Sequence, residues 1–306
     1  MTIEYPSQSW KDYELIDSGR GAKLERFGDF IMARPEPKAL WDKSMTDLEW
    51  NRLCHTRFTP GAGFGKAGKE DSGIWERLRK MPDQWWISYS GGPSFRLRLG
   101  LTSFKHVGVF PEQAPNWEYI YRETSAIATA TGKVPKVLNL FAYTGAASVA
   151  CAKSGASVCH VDAAKGMVAW AKENAKVSGL ADAPIRWIVD DCAKFVEREI
   201  RRGKTYDAII MDPPSYGRGP GGEVWKLEDN LFPFVKLCSQ VLSDKPLFVI
   251  INSYTTGLAP SVLGYMLHLL VAEKYGGRVT WDELGLPVTE TGLALPCGAT
   301  GRWCSE

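Results

Sequence analysis

The 306-residue chain, 44% apolar and 24% charged, has an ordinary globular composition and enough length for one large or two modest domains. A formal net charge of only +2 excludes a global field that would draw the whole protein onto nucleic acid or an anionic membrane. Seven scattered cysteines without a CxxC pair argue against a disulfide framework or a zinc site; with no apolar leader and no bilayer-length run, a cytoplasmic protein is expected.

The first part, residues 1–114, reads as a β-rich, aromatic domain. Short runs at 13–16 (YELI), 30–33 (FIMA), 85–90 (WWISYS) and 95–101 (FRLRLGL) lie between Gly and Pro clusters, and the last alternates apolar with basic residues. Six of the twelve tryptophans fall here, with a seventh, Trp117, just beyond, and the stretch from Arg52 to Lys80 carries seven basic residues against three acids. Such a stretch suits single-stranded RNA, whose bases stack on rings while cations meet phosphates; it equally suits a small aromatic-packed sheet with solvated loops.

A helical bridge follows at 115–132, with Trp117, Ile120, Tyr121, Thr124, Ile127 and Ala128 at helical spacing and Gly132 as its stop. From 133 to 306 the texture alternates. KVLNLF (136–141), ASVCHVD, PIRWIVDD, YDAIIMD and PLFVIIN read as five apolar strands, separated by helices. Pro233 is expected to kink or break the helix of KLEDNLFPFVKLCSQVL, and the tail reads as two further, antiparallel strands. This pattern specifies an α/β, Rossmann-like, mostly parallel sheet covered on both faces, with ligands outside the carboxyl ends of its strands.

The loops at those ends hold the candidate site. Asp162 closes the second strand about twenty residues beyond the first turn, the place of an acid that accepts from ribose hydroxyls; a helix cap is the competing reading. The first turn, after Asn139, runs Phe141, Ala142, Tyr143, Thr144, Gly145, with one glycine where a pyrophosphate cradle needs G-x-G-x-x-G. That disfavours a dinucleotide and favours S-adenosylmethionine, whose sulfonium an aromatic face such as Phe141 or Tyr143 would attract. Ala163 adjoins the ribose acid. Asp190 or Asp191, with Cys192, is placed to accept from an adenine amino group or to cap the next helix.

The segment MDPPSYG is the most specific. In Asp212, Pro213, Pro214, Ser215 and Tyr216 the two prolines fix φ and remove two N–H donors, so a carboxylate and carbonyls present acceptors without competition. These five are the candidate catalytic residues, and Asp212 also borders the cofactor. No metal is expected, because the four histidines show no ligand spacing, and His160 within a strand reads as core.

VLNLFAYTGAASVACAKSGA, VDAAKGMVAWAKENAKVSGL and DAIIMDPPSYGRG, in that order, resemble the class I S-adenosylmethionine-dependent rRNA methyltransferases of the bacterial large subunit, which include 5-methylcytosine and 7-methylguanine enzymes. The likeness covers about residues 105–257. It implies a seven-stranded sheet with a reversed last hairpin, RNA as substrate, and a segment ahead of the catalytic domain that nears the cofactor, making Pro111 and Gln113 candidates. Three departures stand out. IINSYTTG holds Ser253 where 5-methylcytosine enzymes hold a cysteine, which points to direct attack by a nitrogen rather than covalent catalysis. Ser215 replaces the aromatic that follows the prolines in amine methyltransferases, and the N-terminal part is unlike the compact RNA-binding module of some relatives. GRGPGGEVW (217–225) is expected to form a lid. The alternatives are a protein or small-molecule acceptor, or a non-catalytic RNA-binding protein with the same fold.

Overall fold

The computed structural model describes residues 2–62, 72–218 and 224–305. Most of the glycine-rich stretch at 59–69 and the centre of the expected lid, 219–223, lie outside the described residues. The chain divides into two compact units, one of Met1–Glu4, Asn116–Leu284 and Gly298–Glu306, the other of Tyr5–Pro115 and Gly285–Cys297.

The smaller unit holds β2 to β8, after the two-residue strand β1 (Ile3–Glu4) of the larger one. Strands β2 (Tyr13–Gly19), β3 (Ala22–Phe27), β4 (Phe30–Pro35), β5 (Thr56–Pro60) and β6 (Gly73–Arg77) form one sheet in that order, with α1 (Asp47–Leu53) between β4 and β5. Thr46 and Glu49 close a capping box on α1. Strands β7 (Gln84–Ser90) and β8 (Ser94–Gly100) pair separately, and buried and exposed side chains alternate along β7 as a half-covered hairpin requires. The buried Asp17 carboxylate accepts from the backbone N–H of Ser18, Ser44 and Met45 and from the Trp50 indole, so its charge is met by four donors.

The helix α2 (Ala114–Thr131) leads into the larger unit, whose strands are β9 (Lys136–Leu140), β10 (Ser157–Asp162), β11 (Ile185–Val189), β12 (Ala208–Met211), β15 (Phe248–Ser253), β16 (Arg278–Pro287) and β17 (Ala294–Cys304). A small antiparallel hairpin, β13 (Tyr216–Arg218) and β14 (Val224–Lys226), follows β12. The order across the main sheet is β1-β16-β17-β15-β12-β9-β10-β11. Neighbours from β15 to β11 run parallel, and β17 is antiparallel to β15. Seven of these strands are the expected ones; the eighth, β1, pairs parallel with β16 and was too short to show as a pattern.

Helices α3 (Ala146–Lys153), α4 (Lys165–Val177), α5 (Cys192–Arg201), α6 (Leu227–Ser239) and α7 (Pro260–Leu267) cover the sheet. Alternate residues feed two cores: Leu138, Leu140, Ile209, Met211, Val249 and Ile251 on one face, and Val137, Ala208, Ile210, Phe248 and Ile250 on the other. Burying each such leucine or isoleucine contributes about 1.5–3 kcal/mol, which explains strands apolar on both faces. Pro233 does not break α6. The helix runs through it because Leu231, Phe234, Val235 and Cys238 are buried on one side, and this packing offsets the lost backbone hydrogen bond.

Candidate active site

The chain passes outward from β9 to β10 and β11, then returns to place β12 on β9's other side. Strand order therefore reverses between β9 and β12, and the segments beyond their carboxyl ends flank that point. Leu140 is in register with Met211 and with Val161, so Phe141, Asp162 and Asp212 emerge at one level of the sheet.

The turn after β9 is held in a costly conformation. Phe141 and Tyr143 have φ of 55° and 50°, a region that side chains with a Cβ avoid. Asp162 secures it: Oδ2 accepts from the Tyr143 N–H at 2.8 Å, and Oδ1 accepts from the Ala164 N–H at 2.8 Å. The carboxylate thus both clamps the turn and holds the N–H of Ala164, the residue that leads into α4. Each oxygen keeps a further lone pair, an acceptor set that fits two vicinal ribose hydroxyls. Burial pushes the Asp162 carboxyl above its usual range, against the pull of the two backbone donors. Gly145 has φ 86°, and a Cβ there would lie 2.8 Å from Cβ of Ala171. Ala163 is exposed beside the acid.

Beneath this turn runs a buried polar ladder. Asn139 donates to Ser148 Oγ at 2.9 Å, Ser148 pairs with His160 Nδ1 at 2.9 Å, and Asn174 donates to the Thr144 carbonyl at 2.8 Å. Asn139 and Thr144 therefore support the turn from within the fold, both nearly inaccessible. Burial depresses the His160 imidazole to about 3. It is a neutral core residue.

After β11, Asp191 caps α5 through the Lys194 N–H at 2.9 Å, while Asp190 accepts from the Asp191 N–H and pairs with Arg198. Both acids have structural partners, and both stay partly accessible. Cys192 accepts from the Phe141 N–H at 3.3 Å and is buried, its thiol pushed far up by desolvation. Pro111 and Gln113 lie in the other unit, buried in the 3-10 turn Pro111–Gln113 that precedes α2.

On the other side of the reversal, the Asp212 N–H reaches the Leu140 carbonyl at 3.4 Å. Pro213 is buried, Pro214 and Ser215 are exposed, and Tyr216 opens the hairpin β13–β14. Sequence reasoning missed three supports here. Trp225 donates to the Pro214 carbonyl, Thr255 donates to Ser215 Oγ, and Asn252 accepts from Asn116 within a buried cluster completed by Arg302 and Glu4. No local pattern marks them: Trp225 acts within the β13–β14 hairpin region, and Thr255 and Asn252 meet partners far away in sequence.

An α/β sheet with an acid at the end of its second strand on one side of the switch point and an Asp-Pro-Pro loop on the other has the layout of a nucleoside-cofactor transferase. The family model for the S-adenosylmethionine-dependent methyltransferase matches residues 69–252. The crystal structure of the SAM-dependent methyltransferase from Agrobacterium tumefaciens is 38% identical, with a TM-score of 0.87, over 99% of this chain and 93% of that one. The ribosomal RNA large subunit methyltransferase K/L of Shewanella baltica (strain OS155 / ATCC BAA-1091) is 34% identical over 225 residues, 68% of this chain and 30% of the relative. This chain thus matches under a third of the length of that curated relative. SMU.776 complexed with SAH shares the fold, at 19% identity and a TM-score of 0.70 over 97% of this chain and 76% of that one. The chain belongs to the S-adenosylmethionine-dependent methyltransferase family. It is a methyltransferase that takes S-adenosylmethionine as methyl donor.

A cavity of about 520 Å³ in the smaller unit is lined by Arg34, Pro35, Lys43, Asn51, Arg57 and Phe58 among others. No helix among the described residues is long and apolar enough to cross a membrane.

Proposed function

We propose that this protein methylates a nitrogen of a base in ribosomal RNA. The observation that carries the reading is the placement of Asp162 and Asp212-Pro213-Pro214 on opposite sides of one switch point. The curated relatives named for ribosomal RNA supply the acceptor class.

When bound, S-adenosylmethionine supplies an electrophilic methyl group with a good leaving group. Asp162 holds the ribose, and the turn Phe141–Gly145 lines the cofactor. The Asp212 carboxylate accepts the hydrogen of the attacking nitrogen and takes its proton as the new N–C bond forms. Pro213 and Pro214 leave no N–H to compete for that nitrogen, and the work is mostly alignment and exclusion of water. A covalent route through a thiol is disfavoured: six of the seven cysteines are buried, and Cys192 lies under Phe141 with its thiol pushed far above neutrality. Arg57, on the cavity of the smaller unit, pairs only with a neutral amide among the described contacts and is the candidate contact for an RNA phosphate. All seven cysteines are free thiols, which suits the cytoplasm, where ribosomes are made.

The test is transfer of tritiated methyl from S-adenosylmethionine to host rRNA lacking the modification, with total protein and small metabolites as parallel pools. Label in rRNA that disappears with Asp212→Asn, while cofactor binding persists, supports the reading. Label confined to protein or metabolites overturns the RNA acceptor, and a cofactor-binding protein inert on every pool overturns catalysis.

A further inference from the structure

The loop after β12 is fastened at three points. The Trp225 indole donates to the Pro214 carbonyl at 2.6 Å, the Thr255 hydroxyl to Ser215 Oγ at 2.7 Å, and the Leu227 N–H to the Ser215 carbonyl at 3.0 Å. Trp225 has a second attachment. Its ring lies 5.4 Å from that of Phe141 and 5.6 Å, edge-on, from that of Phe234 on α6. Phe141 and Phe234 are themselves 5.4 Å apart, so the three rings form one cluster. Phe141 is the first strained residue of the turn that Asp162 clamps. A single side chain therefore grips the acceptor loop by a hydrogen bond and the cofactor-side turn by ring packing.

We propose that Trp225 is a positioning residue for methyl transfer, setting the Asp212-Pro213-Pro214 loop at a fixed distance from the turn that carries the cofactor. In-line transfer loses roughly a hundredfold in rate when the reacting groups are misplaced by about 1 Å. The indole N–H fixes the loop, and the ring carries the turn's position to it. Only a residue spanning both sides of the switch point can do this. The inference rests on the proposed function for the roles of the Asp212 loop and of the turn after β9, and for the acceptor used in the assay.

Trp225→Phe keeps a ring and removes the donor; Trp225→Leu removes both attachments. With Trp225→Phe we expect S-adenosylmethionine affinity within about twofold of wild type, single-turnover methylation of rRNA lowered roughly 10- to 100-fold, and amide exchange at 215–218 and 224–227 at least about tenfold faster. With Trp225→Leu cofactor affinity falls as well, because Phe141 loses one of its two ring partners. A Phe variant with wild-type rate and exchange overturns the proposal. So does a loss of cofactor affinity equal to the loss of rate, which is what a merely structural role produces. If wild type transfers nothing to rRNA, the acceptor assignment has failed, and cofactor affinity and amide exchange together decide the role of Trp225.

Discussion

The Tyr143 N–H donates to Oδ2 of Asp162 across nineteen positions of sequence, at 2.8 Å. Tyr143 holds φ 50°, a conformation costing on the order of 1 kcal/mol or more, so this bond offsets strain in the turn after β9. The carboxylate proposed to hold the ribose thus also holds the turn.

Asp162→Ala should weaken S-adenosylmethionine binding by roughly 100-fold, the loss of two hydrogen bonds to a charged group worth about 1.5 kcal/mol each. Calorimetric titration measures it. Because burial raises the Asp162 carboxyl, acidification neutralises it earlier than an ordinary aspartate. Cofactor affinity should therefore fall as pH drops through that raised value, and Asp162→Asn should abolish this dependence.

Gly145→Ala should destabilise the protein by about 2–4 kcal/mol, from a left-handed backbone and an overpacked contact. The new Cβ meets Ala171 at 2.8 Å. Urea unfolding gives the stability, and the same variant should lose cofactor affinity because the turn must shift.

His160 is neutral in the folded state down to about pH 3, whereas its unfolded counterpart takes a proton near 6.5. The unfolded chain therefore binds more protons between those values, and stability falls with acidification. From pH 7 to pH 4.5 the contribution lost is on the order of 2–3 kcal/mol. His160→Gln, which retains a partner for Ser148, should flatten the pH dependence of urea unfolding over this range.

Arg57 lines the cavity of the smaller unit and donates to the neutral amide of Asn51. Arg57→Ala should weaken single-stranded RNA binding about three- to tenfold and lower the salt slope by about one, with cofactor affinity unchanged. Fluorescence anisotropy at several salt concentrations reads both. An unaltered slope rules out a phosphate contact at this residue.

Cys192→Ala should keep methyl transfer within about threefold of wild type, and neutral thiol reagents should leave the folded enzyme active, because the buried thiol stays protonated. Mass spectrometry of the treated protein checks that Cys192 is unmodified.

The parallel sheet was legible because KVLNLF, YDAIIMD and PLFVIIN are apolar on both faces, a pattern few other structures need. Asp162 and Asp212 were legible because strand ends in such a sheet face one crevice. The smaller unit was less readable. β3, with the sequence AKLERF, buries charged Lys23 and Glu25, satisfied by Glu36 and Arg34, so its core side reads as polar. Helix α4 buries Ala171 and Ala175, but it also buries Asn174, which donates to the Thr144 carbonyl and breaks the apolar stripe. Trp225, Thr255 and Asn116 act on residues far along the chain, a relation that periodicity does not record. The Asp190–Arg198 pair and the cap made by Asp191 illustrate the reverse: two readings fitted one motif, and only geometry showed the cap to be made.

The smaller unit is finished by residues from far downstream. Leu15 bridges to Val288, the Thr289 hydroxyl donates to Glu14, and Lys38 reaches the Cys297 carbonyl. A ribosome making this chain therefore releases its β-rich portion long before the closing segment exists. That portion must wait, incomplete, while the whole parallel sheet is synthesised, and contacts of such sequence separation are slow to form. Maturation of the two units is thereby tied to one late event, the arrival of residues 285–297. A chain interrupted before that point would leave both a sheet without its last strand and a β-rich unit without its closure.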